Sequence, residues 1–208
     1  MLKSTRSTLA LASSIVLLAA CSGKPATSEG SPQLKPVYDK ATGKLQQLQY
    51  DANKNGRTDT WSYMDGTRVL RIEIDKDEDG RIDRWEYYGD DQKLAKVGLS
   101  RANDGAVDAW AYSAPDGSVG RMEISTRRDG KVSRTEFFEA GVVARAEEDA
   151  DADGRVDKWE TYRDGSLASL ALDTLHRGKP DRRLLYQPDG KVVVETDPAG
   201  SGTFKPGK

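Results

Sequence analysis

The chain has 208 residues, 36% of them hydrophobic and 32% charged, with 20 glycines and a mean hydropathy of −0.72, too polar for a deep core. Its 32 basic and 34 acidic side chains leave a formal charge of −2, which excludes the basic footprint of a nucleic-acid binder. One Cys and one His exclude a disulfide framework, a Cys/His zinc centre and an imidazole-rich active site.

In chain order, the first expected element is a targeting segment over residues 1–20. Lys3 and Arg6 precede an apolar run from Leu9 to Ala20, broken by Ser13 and Ser14. The run is too short to span a bilayer and ends in small residues, as secretory signal peptides do. Leu18-Ala19-Ala20-Cys21 resembles the lipobox of bacterial lipoproteins. That resemblance implies cleavage before Cys21, acylation of its thiol and then of its new amine, and a lipid anchor in the bacterial cell envelope. Several acyl chains anchor stably, since each buried methylene contributes about 0.8 kcal/mol. Ser22, rather than Asp, follows the Cys, which by the same resemblance implies outer-membrane sorting in a double-membraned host. Residues 21–36, rich in Ser, Pro, Gly and Lys, read as a lipidated Cys followed by a flexible linker.

The body is a repeat. Gly56, Gly80, Gly105, Gly130, Gly154 and Gly178 are spaced by 24 or 25 residues, and Trp61, Trp85, Trp110 and Trp159 each stand five places after one of them. Thr135 and Arg183 fill the other two slots, and Asp197 with Gly202 leaves room for a worn seventh unit. Units this short cannot bury a face alone, so they must stack. Within a unit, apolar residues alternate with polar ones: Leu70, Ile72 and Ile74 before the acidic loop, Trp85 and Tyr87 after it. Such alternation predicts half-buried strands. Turn pairs such as Asp65-Gly66, Asp116-Gly117, Ala140-Gly141 and Asp164-Gly165 predict tight hairpins. The expected fold is therefore all-β, an antiparallel meander of six to seven 24-residue β-hairpin repeats over 37–197, followed by a frayed Gly/Pro-rich tail over 198–208. Aromatic and aliphatic residues are expected to share one face, with charge on the other.

The acidic loops carry the chemistry. Loop two presents Asp75, Asp77, Asp79, Asp83 and Glu86, and loop five Asp149, Asp151, Asp153, Asp157 and Glu160. These stand at positions 1, 3, 5, 9 and 12, with Gly at 6, and resemble the calcium loops of EF-hand, dockerin and thrombospondin type 3 proteins. The resemblance implies Ca2+ as the cofactor, with the carbonyls of Arg81 and Arg155 as further ligands. Loop one keeps Asp51, Asn53, Asn55 and Asp59 but has Ser62 at position 12, so weaker binding is expected. The loop beginning at Ser100 keeps only Asp104 and Asp108, the next keeps Asp129 beside Arg127 and Arg128, and the sixth keeps Asp173 and Asp181 but has Leu175 and Arg177 where acids belong; all three read as turns that keep the geometry without the ion. The 24-residue period leaves no room for flanking helices of ordinary length, and the hairpin frame resembles bacterial MORN-variant repeats. Five like charges in one turn repel unless neutralised, whereas a plain turn needs only one or two such residues.

The Trp/Tyr stripe reads either as the buried face of the sheet or as a platform for sugars or a partner. His176 beside Arg177 reads as a solvated surface residue, and no nucleophile–base pair suggests catalysis. The function expected is a calcium-binding, membrane-anchored envelope lipoprotein with a structural or interaction role and an unidentified protein or glycan partner. Two alternatives stand beside it: a glycan- or peptidoglycan-binding lipoprotein using its aromatic face, and a carboxylate-based hydrolase.

Overall fold

The computed structural model describes residues 34–207, so the expected signal peptide, Cys21 and the expected linker up to Gln33 lie outside the described residues. Fifteen strands and no helix are found there. The first eight are β1 Lys35–Tyr38, β2 Leu45–Tyr50, β3 Thr60–Asp65, β4 Arg68–Ile74, β5 Arg84–Tyr88, β6 Leu94–Leu99, β7 Ala109–Ser113 and β8 Val119–Ile124. The rest are β9 Arg134–Glu139, β10 Val142–Glu148, β11 Lys158–Arg163, β12 Ser166–Leu172, β13 Arg182–Tyr186, β14 Val192–Thr196 and β15 Lys205–Pro206. Each pairs antiparallel with its neighbour in sequence, in one sheet ordered β1 to β15. The all-β meander is as the alternation predicts. The strands run past the expected bounds at both ends. Lys35 and Pro36 belong to β1, and Lys205 and Pro206 in the expected tail pair with Thr196 and Glu195. The seventh unit therefore forms.

Two kinds of connection alternate. At one edge the turns are short, and Ala140-Gly141 (φ 49° and 80°) and Asp164-Gly165 (φ 51° and 75°) both sit in the left-handed region that suits the twist of two-residue hairpins. At the other edge, nine residues separate strand ends: β4 closes at Ile74 and β5 opens at Arg84. That loop length sets the register. Ile74 stands opposite Arg84, so Glu73 stands opposite Trp85 and Ile72 opposite Glu86.

The faces therefore divide differently from expectation. Trp61, Trp85 and Trp110 share a face with Glu73, Arg71, Lys96 and Glu123, while Ile72, Ile74 and Val97 lie on the opposite face, which carries charge of its own at Arg84 and Glu86. One register position on the aromatic face crosses eight strands as Tyr63, Arg71, Tyr87, Lys96, Tyr112, Arg121, Phe137 and Arg145. Ring and cation alternate along it. Arg71 lies 3.9 Å from the Tyr63 centroid, Arg121 4.4 Å from Tyr112 and Arg145 3.4 Å from Phe137, each such contact contributing about 0.5–1 kcal/mol at exposed sites. The four Trp residues are half-buried in this ladder, in keeping with neither a sealed core nor a bare platform.

The buried apolar side chains are Val97, Ala109, Ala111, Ile124 and Ala146, all on the aliphatic face. Among the described residues no large side chain is fully buried. The sheet leans instead on cross-strand pairs, each contributing roughly 0.2–1 kcal/mol. The densest group spans three strands. Arg134 Nε, Nη1 and Nη2 approach Glu136, Glu148 and Glu160 at 2.8, 3.1 and 2.6 Å, and Lys158 joins Glu148 and Glu160 at 3.1 and 2.8 Å.

Candidate metal centre in the acidic loops

All the loops share one backbone frame. The fourth position is left-handed in each, at Lys54, Glu78, Asn103, Arg128, Ala152, His176 and Gly200, and the sixth is a glycine with φ between 77° and 92°. The first side chain closes this turn by accepting the glycine amide: Asp51 at 2.7 Å, Asp75 at 2.9 Å, Asp149 at 3.0 Å, Asp197 at 2.6 Å. In loop three the hydroxyl of Ser100 does the same for Gly105 at 3.2 Å. The ninth side chain accepts the amide of position 2, from Ala52 to Asp59 at 2.8 Å and from Lys76 to Asp83 at 2.6 Å. Ser133 serves Thr126 likewise at 3.0 Å. Positions 1 and 9 thus hold the loop whether or not they are acidic, so the worn loops keep the geometry.

The test for a cation is what remains after those bonds. In loop two, oxygens of Asp75, Asp77 and Asp83 lie within 4.8 Å of one another. Asp75 is 4% exposed, and its Oδ1 is buried without any hydrogen-bond partner. A carboxylate oxygen removed from water and given no donor is costly, and a hard cation among three carboxylates would satisfy it. Loop two fits.

Loop five gathers Asp149, Asp151 and Asp157 in the same way, but there Asp149 Oδ1 accepts the Ala152 amide at 2.7 Å. Arg127 of loop four also binds the Asp149 carbonyl at 2.9 Å and stands 3.9 Å from its carboxylate. Asp153 is taken by Arg155, whose side chain and amide hydrogen bonds hold its carboxyl below the usual range. Asp79 accepts the Arg81 amide at 2.8 Å. In loop one, the amides of Asn53 and Asn55 both donate to Glu78 of loop two, while their own oxygens cap the Asn55 and Arg57 amides.

The position-12 residues stand outside these clusters. Glu86 and Glu160 do not reach their loops. They stand in β5 and β11 on the aliphatic face, Glu86 accepting from Arg84 at 2.7 Å and Tyr88 at 2.8 Å. Glu160 accepts from Arg134 at 2.6 Å and Tyr162 at 2.7 Å. The strand begins two residues earlier and carries them away at about 3.3 Å per residue. No bidentate Glu closes either loop.

Neighbouring loops are linked sideways by a rule the sequence period contains. Position 4 of one loop meets position 3 of the loop before it: Glu78 with Asn53, Asn103 with Asp77 at 2.7 Å, and His176 with Asp151 at 2.8 Å. His176, read from sequence as a solitary surface residue, is exposed but stands with Asp151 and Asp153 within 4.8 Å. Aligning the repeats and comparing adjacent columns would have found it.

No known family model matches the chain, and no curated protein matches it. Among solved structures, the crystal structure of TarM is similar over 49% of this chain and 19% of that one, at 12% identity and a TM-score of 0.38. The crystal structure of accessory secretory protein 1, 2 and 3 in Streptococcus pneumoniae is similar over 71% of this chain and 20% of that one, at 14% identity and a TM-score of 0.27. The chain spans about a fifth of the length of each.

Proposed function

We propose that the protein is a calcium-binding lipoprotein of the bacterial cell envelope, anchored through acyl chains on Cys21 and serving a structural or interaction role without catalysis. The observation that carries the calcium reading is the buried, partnerless Oδ1 of Asp75, a residue whose carboxylate clusters with those of Asp77 and Asp83. Those three residues would hold the ion, which supplies charge neutralisation at the loop. With Glu86 engaged in the sheet, the remaining coordination falls to backbone carbonyls such as that of Arg81 and to water. Affinity is then below that of a complete EF-hand loop. Loop five, with its carboxylates already part-neutralised by Arg127 and Arg155, ranks second, and loop one third.

A cation at ten times its dissociation constant stabilises a folded protein by about 1.4 kcal/mol per site, a sizeable share for a sheet with so little buried carbon. The test is a thermal melt followed by Trp fluorescence in excess calcium and in chelator, since Trp85 stands two residues past Asp83. A calcium-dependent rise of a few degrees is expected. A folded protein whose melting temperature ignores calcium would sink this reading. The anchor is tested separately, by loss of radiolabelled palmitate and of membrane association on Cys21→Ala.

A second reading, a glycan-binding face, is favoured by one observation. An open groove of about 540 Å3 on the aromatic face is lined by Val37, Gln46, Gln47, Tyr63, Leu70, Arg71 and Tyr87 together with Met64, within the size range of small-molecule sites.

A further inference from the structure

Two units of the aromatic face are built on the same three side chains. Glu73 accepts the Tyr63 hydroxyl at 2.8 Å and Arg71 at 3.0 Å. Glu123 accepts the Tyr112 hydroxyl at 2.9 Å and Arg121 at 3.1 Å. The unit between them has Tyr87 and Lys96 at the matching register positions, but Gly98 stands where the Glu belongs. Lys96 rests over two rings, 5.0 Å from the Tyr87 centroid and 4.3 Å from that of Trp110. Among the described residues, neither its ammonium nor the Tyr87 hydroxyl has a carboxylate partner.

The chain cannot supply the missing group from position 98. A Cβ there would stand 3.0 Å from Trp110 Cζ3 and 3.1 Å from Cη2, so the indole occupies that place. A carboxylate can reach the ammonium and the hydroxyl only from outside the sheet. Tyr87 is also a wall of the groove described above. The cations on either side are already neutralised, Arg71 by Glu73 and Arg121 by Glu123. The site therefore suits a ligand with one isolated carboxylate better than a run of acids. The amides of Gln46 and Gln47 offer partners for hydroxyls, and Val37 and Leu70, 40% and 45% exposed, offer apolar contact for the face of a pyranose.

We propose that Lys96 and Tyr87 form a subsite for the carboxylate of an acidic sugar of the uronate type, whose ring lies in the adjoining groove. This deepens the glycan reading and does not depend on calcium.

The test titrates the full chain, in chelator, with a hyaluronan tetrasaccharide, with its carboxyl-reduced neutral counterpart and with hexaglutamate, following Trp fluorescence and heat. Binding of the tetrasaccharide is expected, about tenfold or more tighter than the neutral sugar, as for hydrogen bonds to a charged group. Lys96→Gln should remove that difference, Tyr87→Phe should reduce it, and Arg121→Gln should leave it intact, with melting curves confirming that each variant folds. Failure of both sugars to bind overturns the subsite and the glycan reading together. Equal binding of charged and neutral sugars overturns the subsite alone. Tighter binding of hexaglutamate, or an equal loss in Arg121→Gln, overturns it in favour of an acidic peptide or of unspecific charge.

Discussion

Arg134 in β9 reaches across β10 to hold the carboxylate of Glu160 in β11, with Nη2 2.6 Å from Oε2. Beneath this bridge Ala146 is 1% exposed. Burial pushes the Glu160 carboxyl up, but hydrogen bonds from Arg134, Lys158 and Tyr162 outweigh it and hold the group down at about 2. An acid depressed in the fold stabilises it above the unfolded value near 4.5 and loses that effect as pH falls through about 2. The contribution at neutral pH is roughly 2 kcal/mol after allowing for screening. Glu160→Gln should lower the melting temperature at pH 7 and flatten its decline between pH 4.5 and 2. An unchanged acid limb would show that the bridge is not coupled to folding.

Asp75 should behave unlike the first residue of any other loop. Its Oδ1 has no partner, whereas Ser100 closes the same turn with a hydroxyl. Asp75→Ser is expected to melt no lower, and up to about 1 kcal/mol more stably, in chelator, because an unsatisfied buried oxygen is removed. It should also lose the calcium-dependent rise. A variant that keeps the full rise would move the site elsewhere.

Gly98 is a packing position. A side chain there would meet Trp110 and Val107 at 3.0–3.2 Å, so Gly98→Val must displace the indole. Overpacking of this kind costs about 1–3 kcal/mol, and the displaced ring should shift the Trp emission. A wild-type spectrum and melt would mean that the indole moves aside freely.

Loop five contains two left-handed residues of opposite kind, Ala152 at φ 70° and Gly154 at φ 89°. A Cβ on Gly154 meets nothing within 4 Å, so Gly154→Ala measures backbone strain alone, about 1–2 kcal/mol of destabilisation. Ala152→Gly should change stability in the opposite direction by less than about 1 kcal/mol, since relief of strain is offset by chain entropy. Denaturant midpoints of the two variants check the pair.

Much of this architecture was legible in the residues. The 24-residue period, the two-residue alternation and the Asp-Gly turns are local signals, and each produced the strand or hairpin expected, including the worn seventh loop closed by Asp197 on Gly202. The clustering of the loop acids was half legible. Asp75, Asp77 and Asp83 lie on one tightly wound stretch, so sequence spacing is enough to bring them together. Glu86 and Glu160 fit the same twelve-residue spacing, but the strand that follows the ninth residue carries them into the sheet.

By itself, then, the sequence determined the repeat, the hairpins and the shape of each loop, because those depend on backbone preferences within a few residues. The tertiary structure alone decided what faces what. A nine-residue loop sets Ile74 opposite Arg84 and so puts Trp85 beside Glu73, separating the aromatic from the aliphatic face. The pairing of His176 with Asp151 and the missing carboxylate beside Lys96 and Tyr87 exist only between repeats. Strand register is fixed by loop length and cross-strand hydrogen bonding, and the composition of a single strand carries no record of its partner.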